Sequence, residues 1–418
     1  MGRDSALDHS ALLRLYWAMP IPNAAAANVP PSRPHVPLAP LLSRASLFGG
    51  SGARAPSVLD AGAVRFVTSG RIAIALALRE MRIGPGDTVL VPAYHSLSMV
   101  PPVQWCGATP RFYKIGLDTA VDLDDVAASL DGSVKAIMVT NYFGFPQDLA
   151  RIRAFCDRHR LLMLEDCAHC FFGERDGKPV GSYGDYAIAS SMKFFPNYEG
   201  GCLVSARRSL APVALRSAGT GFELKVALSA LENSFAYGRL AGLAALLRLP
   251  LRLKAALWRR LKARRPGAPA LAPSSSDSSF NFDPAWLDKR SSWFSRRLVA
   301  RSDQGRIVAL RRANYLRLEQ ALGALAGCRP LFARLPEGAC PWLFALLVEQ
   351  PEAVFGRLLE GGVPVTRFGA TLWPGVDASV CANSVTLSRQ VLAFPCHQAL
   401  RPQELEWLIA QIGKALLS

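Results

Sequence analysis

From residue 64 onward, short apolar runs alternate with longer stretches whose apolar positions recur at helical spacing. VRFVTSG ends in a turn, and RIAIALALREM carries an apolar helical face with Thr68 or Ser69 available as its N-cap. IGPGD is a turn and TVLVP a short apolar strand. The pattern then predicts a helix near 95–106, a strand at 111–115, a helix near 122–130, a strand at 134–140, a helix near 147–159 and a strand at 161–165. Strands alternating with such helices predict a largely parallel sheet with helices on both faces. In sheets of this kind, chemistry gathers at the carboxyl ends of the strands.

The flanks follow other patterns. Residues 20–56 hold eight prolines and an AAAA run, which predicts an irregular arm. Residues 236–265 read as two helices broken at Pro250, with Leu253, Leu257 and Leu261 on one face. Residues 266–279 have linker composition. Beyond them a smaller α/β unit is expected: a strand in PWLFALL, a helix at 351–360, a strand near 363–366 and a last helix opened by Pro402. The expected organisation is therefore an arm at 1–62, a large domain at 63–232, a basic helical insertion and linker at 233–279, and a connecting helix with a small C-terminal domain at 280–418.

Composition narrows the function classes. Of 418 residues, 50% are hydrophobic and 19% charged, which excludes global disorder. Nine cysteines without framework spacing suit a reducing cytoplasm. No basic segment followed by an apolar one opens the chain, and no run of about 18 uncharged apolar residues occurs, so neither a secretory leader nor a membrane span is expected. Net charge is +16, and residues 233–276 contain nine Lys or Arg and no Asp or Glu. That leucine-rich basic block has the look of an interfacial helix pair, which predicts peripheral membrane contact through 236–265; its alternative is an ordinary helical excursion packed on its own subunit. Basic and aromatic residues are not interleaved, so nucleic acid is not expected as a partner.

For chemistry, the absence of GxGxxG after a strand and of GxxxxGK[ST] excludes dinucleotide and P-loop readings. Cys167 and Cys170 form a single CxxC around His169, which reads as small semi-buried residues rather than a metal site. More informative is an apolar strand ending in Glu165-Asp166, with Lys193 placed 27 residues after Asp166. Lys193 follows the apolar YAIASS and precedes a Pro-Asn-Tyr-Glu-Gly-Gly turn. An ammonium is costly to desolvate at the end of such a strand. Lys193 is thus either an exposed loop lysine or a Schiff-base lysine.

These pieces together resemble the DegT/DnrJ/StrS family of pyridoxal-phosphate sugar aminotransferases, of the aspartate aminotransferase-like fold type I. The matching stretches are SGRIAIALAL, IGPGD, VLVPAYH, GATPRFY, NYFGFPQDL, LEDCAHCFFG, GKPVGSYGD, SSMKFFPNYEGG and LSRQVLAFPCHQAL. The resemblance implies an α/β architecture: a large domain with a mainly parallel seven-stranded sheet flanked by helices, plus a smaller C-terminal α/β domain. It implies pyridoxal 5'-phosphate held by Lys193, which would also move the proton between substrate carbon and cofactor. Asp166 would pair with the pyridine nitrogen, and His169 would contact the ring or its phenolic oxygen. Ser69, Gly70 and Arg71 would meet the phosphate at a helix N-terminus, together with Ser190; the family commonly has Thr where Arg71 stands. Tyr94 or His95 would supply the stacking face, because Ser96 occupies the usual aromatic position. Glu199 would meet substrate or cap the turn, and His397 is a further substrate-side candidate. The nearest match to an asparagine that the family presents from a partner subunit is Asn281.

The implied activity is transfer of an amino group from an amino acid, glutamate first, to a keto sugar, nucleotide-linked, in polysaccharide or glycoconjugate biosynthesis. The resemblance implies a homodimer; cysteine usage adds a cytoplasmic location, and the basic insertion adds contact at the inner membrane face. Relatives that dehydrate sugars carry His in place of the lysine, so Lys193 favours transamination. Dehydration, cyclitol amination and a membrane-surface accessory role in polysaccharide assembly are the alternatives.

Overall fold

The computed structural model describes residues 34–48, 52–247 and 282–417. The chain before 34, the part of the expected helix pair from 248 onward, the expected linker at 266–279 and Asn281 lie outside the described residues.

Seven strands form the main sheet: β1 (Ala63–Val67), β2 (Thr88–Pro92), β3 (Thr109–Tyr113), β4 (Val134–Thr140), β5 (Leu162–Cys167), β6 (Tyr186–Ser190) and β7 (Gly201–Ser205). Their spatial order is β1-β7-β6-β5-β4-β2-β3. Strands β3, β2, β4, β5 and β6 run parallel to one another, while β7 is antiparallel to both β6 and β1. Strands β2 and β6 are buried along their whole length, which is why they read as continuous apolar runs rather than alternating ones. Helix α1 (Gly70–Glu80) packs on one face of the sheet, its Ile72, Leu76 and Leu78 meeting Val89, Ile188 and Leu203 in one core. On the other face Leu90, Ile137 and Met163 join a core that extends into the C-terminal part of the chain.

That part carries a second, wholly antiparallel sheet in the order β8-β9-β10, made of β8 (Cys328–Pro330), β9 (Leu343–Val348) and β10 (Val391–Pro395). The last helix starts at Pro402, as expected, and its Leu408 and Ile412 cover this sheet within the shared core. Residues 363–366 do not form the expected strand; Thr366 makes a single bridge to Ala393. The helix expected near 95–106 is shorter and splits into a 3-10 turn, Leu97–Met99, and a helix, Val100–Trp105, because Pro101 and Pro102 fit only its first turn. A helix not anticipated from the sequence, Thr220–Ala236, runs across the expected border at 232–233 and buries Phe222, Val226 and Ala230.

Candidate active site

The first component is the entry to α1. Ser69 is its N-cap, in extended conformation, and its hydroxyl accepts from the Ile72 N–H at 3.3 Å. The first turn of a helix leaves its N–H groups without intrahelical partners and favours an anion. Strand β7 passes directly beneath this turn. A Cβ at Gly201 would lie 2.6 Å from the carbonyl carbon of Ser69 and 2.7 Å from the nitrogen of Gly70. Gly201→Ala therefore has to push the α1 entry off the sheet. We expect a loss of about 1–3 kcal/mol in urea unfolding; unchanged stability would show that the turn gives way freely.

The second component is the carboxyl edge of the parallel strands. Register aligns Thr140 of β4, Asp166 of β5 and Ile188 of β6, so Asp166, Ser190 and the turn after β6 reach one edge together. Asp166 is buried; its Oδ1 accepts from the Ala168 N–H at 2.8 Å and its Oδ2 from the Thr140 hydroxyl at 3.4 Å. Glu165, one residue earlier on the opposite face, is held instead by the N–H groups of Gly181 and Tyr183 and the Asn141 amide, away from this edge. Lys193 ends the 3-10 turn Ser191–Lys193, and its Nζ lies 4.6 Å from the centre of the Trp342 ring. His169 also packs against Trp342, ring centres 4.0 Å apart, and meets the Phe368 ring edge-on at 4.6 Å. Burial, then the nearby Lys193 charge, holds the His169 imidazole well below its ordinary range, so the ring is neutral. Its Nδ1 is buried and has no hydrogen-bond partner among the described residues.

Ser69, Gly70, Arg71, Asp166, His169, Ser190 and Lys193 line one cavity, which encloses about 560 Å³ including its open mouth. The structure thus gathers seven of the expected residues around one space. Ser96, Ser98, Thr140, Met192 and Phe368 line it as well. Thr140 could have been found as the last residue of its strand. Phe368 and the neighbouring Trp342 carry no local signal, since tertiary packing alone brings them here.

Four expected residues lie elsewhere. Tyr94 is fully buried, its hydroxyl donating to the Phe368 carbonyl at 2.8 Å, so its ring supports the wall behind Phe368 rather than facing the cavity. His95 turns inward: its Nδ1 is 3.0 Å from the Pro92 carbonyl and its ring stacks on Phe112. Glu199 accepts from the Ser291 hydroxyl and from both the N–H and hydroxyl of Ser292, tying its turn to those serines, and burial raises its carboxyl. His397 Nε2 lies 3.0 Å from the Pro37 carbonyl, and its Nδ1 accepts from the Ala399 N–H. None of the four lines the cavity. Cys167 and Cys170, both fully buried, do not line it either.

Burial lowers His95 to about 4 and His397 to about 3, so both stay neutral through the physiological range. Their ring proton resonances, assigned with His95→Asn and His397→Asn, should move by no more than about a tenth of their full titration range between pH 8 and pH 5. A midpoint near the ordinary 6.5 would show solvated rings.

Parts of this chain are similar to known proteins. Residues 59–237 match the model of the DegT/DnrJ/EryC1/StrS aminotransferase family, so the resemblance carried by the motifs holds over that segment. A GDP-perosamine synthase of Vibrio cholerae is 35% identical over 145 residues, 33% of this chain and 39% of that protein. A UDP-N-acetyl-3-dehydro-alpha-D-glucosamine 3-aminotransferase of Acidithiobacillus ferrooxidans is 35% identical over 149 residues, 34% of this chain and 40% of that protein. The chain matches about two fifths of the length of these relatives. Among solved structures, the PLP-form of Spr1654 from Streptococcus pneumoniae superposes with a TM-score of 0.63 at 16% identity, covering 92% of this chain and 99% of that one. The fold is that of the PLP-dependent aminotransferases.

Proposed function

We propose that this chain is a pyridoxal-phosphate-dependent aminotransferase that moves an amino group from an amino acid to the keto group of a sugar, nucleotide-linked, with glutamate as first donor to test. One observation carries the reading: Lys193, Asp166, His169, Ser190 and the entry of α1 converge on a single cavity. The family match over 59–237 and the names of the two sugar-modifying relatives support it.

The cavity suits the cofactor chemically. Ser69, Ser190 and the α1 entry offer hydroxyls and a helix N-terminus for a phosphate, and Gly201 leaves the room they need. The buried, unpartnered His169 Nδ1 awaits a polar group. Bound there, the cofactor supplies an aldehyde for a lysine amine and a ring able to take up the electron pair released from a substrate carbon. Asp166 would hold the ring nitrogen protonated. Lys193 would bind the group and later carry the proton at Nζ. Neutral His169 and Phe368 would wall the site against water.

The test is the absorbance spectrum of the purified protein with added pyridoxal phosphate. A visible band, removed by borohydride and leaving a reduced adduct mapped to Lys193, is the expected result. Bleaching of that band by individual amino acids then identifies the donor, and keto-sugar nucleotides that restore it identify the acceptor. A protein that gives no band with excess cofactor does not carry this chemistry.

The reading extends to a cytoplasmic homodimer with peripheral membrane contact through 236–265. Within that segment Arg239 is turned inward, its Nη2 paired with Glu404 at 2.6 Å and donating to the Ala399 carbonyl. Contact with anionic lipid would therefore rest on residues from 248 onward. Among the described residues no helix is long and apolar enough to cross a membrane. Flotation with anionic liposomes tests the contact, and failure to float at low salt overturns it.

A further inference from the structure

Arg311, on the helix Gln304–Leu322, is fully buried yet does not line the cavity. Among the described residues, all its hydrogen bonds go to uncharged oxygens. Its Nε–H donates to Gln398 Oε1 at 2.9 Å, and its Nη1 to the carbonyls of Pro341 and Trp342, each at 3.2 Å. Its Nη2 donates to the carbonyl of Lys193 at 2.9 Å and that of Phe194 at 3.5 Å. The guanidinium also lies 4.5 Å from the centre of the Phe194 ring.

A buried cation without a carboxylate is costly to maintain, and carbonyl dipoles offset the cost only when their positions suit a planar fork. Here the fork joins three chain segments far apart in sequence. One carries Lys193. Another carries Trp342, the ring that lies against both Lys193 Nζ and His169. The third carries Gln398, whose Nε2–H also donates to the Phe194 carbonyl at 2.7 Å. The same guanidinium therefore holds the backbone of the lysine and the backbone of the ring that its ammonium faces.

We infer that Arg311 is a positioning residue for Lys193: by clamping the carbonyls of Lys193 and Trp342 it fixes where Nζ stands relative to Trp342 and His169. It touches neither substrate nor cofactor. The inference rests on Lys193 being the cofactor-binding amine. A lysine at 311 would keep the charge and some donors but lose the fork, so the three segments would hold their spacing less tightly.

The experiment compares wild type, Arg311→Lys, Gln398→Ala and a control, Arg153→Lys. Arg153 is another buried arginine, bonded to Asp185 and the Leu161 carbonyl at the amino edge of the main sheet. Measurements are the Tm, pyridoxal phosphate affinity, the rate at which the borohydride-reducible band forms, and the single-turnover rate and KM with an amino acid. In Arg311→Lys the band should form about 10- to 100-fold more slowly and single turnover should fall equally, with cofactor affinity and KM little changed. Gln398→Ala should move the same readouts in the same direction by a smaller factor. Arg153→Lys should lower Tm and leave the band-forming rate alone. The inference is overturned if Arg311→Lys and Gln398→Ala, assayed well below their Tm, form the band at the wild-type rate. Should Arg311→Lys fail to fold, Gln398→Ala decides by the same criterion. A wild-type protein with no band sinks the cofactor reading and this inference together; a wild-type band with unmoved variants sinks this inference alone.

Discussion

Lys193→Ala is expected to leave a folded protein in which the half-reaction with an amino acid is slowed by at least about 10³-fold, since general acid–base work alone is worth about 10²–10⁴. That is about 4 kcal/mol of barrier, at 1.36 kcal/mol for each tenfold. Stability should change little. The ammonium loses its place over the Trp342 ring, worth about 0.5–2 kcal/mol, but the cost of burying that ammonium disappears as well. Arg311 bonds to the backbone carbonyl of residue 193, so truncating the side chain leaves that clamp intact. Added methylamine should restore part of the rate, because a small amine can enter the space vacated by the lysine stem. Stopped-flow absorbance on the variant, with and without the amine, checks both statements. A rate within about tenfold of wild type would show that another group moves the proton, and the assignment of Lys193 would fall.

Much of this site was legible in the sequence because its components are local. The strand expected at 134–140 is β4 at the same residues, and the strand expected at 161–165 is β5 at Leu162–Cys167. Burial on both faces makes such strands continuous apolar runs, and the polar residue that ends each run marks the carboxyl edge. Asp166, Ser190 and Lys193 all sit at such ends, and Ser69 shows itself as a cap. Tyr94 and His95 were misplaced for the converse reason. They follow β2 at the same edge, but an aromatic hydroxyl that reaches a buried carbonyl and a ring that stacks on Phe112 are drawn into the core, while Ser96 and Ser98 stay at the cavity. Trp342 and Phe368 approach Lys193 from well over a hundred residues away, and nothing in their local pattern says where the C-terminal sheet will dock. The helix Thr220–Ala236 did have a signal: Phe222, Val226 and Ala230 recur every four residues and are buried. It lies between the motifs that carry the resemblance.

Asp166→Asn tests the other half of the chemistry and should separate binding from rate. Asparagine keeps the size of the side chain, and its carbonyl oxygen can still accept from the Ala168 N–H, so the loop after β5 has no reason to move. What disappears is the negative charge. A neutral amide would leave the cofactor ring nitrogen without the anion that keeps it protonated, and an unprotonated ring accepts the substrate electron pair poorly. Losing one electrostatic group aimed at developing charge costs about 10²–10³ in rate, and the loss should appear in single turnover. Ser190→Ala would behave differently. It removes one hydrogen bond to a charged phosphate, worth about 1.5–3 kcal/mol, and that loss should appear as weaker cofactor affinity. The two variants therefore predict opposite splits, Asp166→Asn in rate at saturating cofactor and Ser190→Ala in cofactor concentration at unchanged rate. If Asp166→Asn instead loses affinity with its saturated rate intact, the carboxylate is a structural anchor for the loop after β5. The protonated-ring assignment would then have to move to another group at this edge, and among the residues lining the cavity no other side chain carries a negative charge.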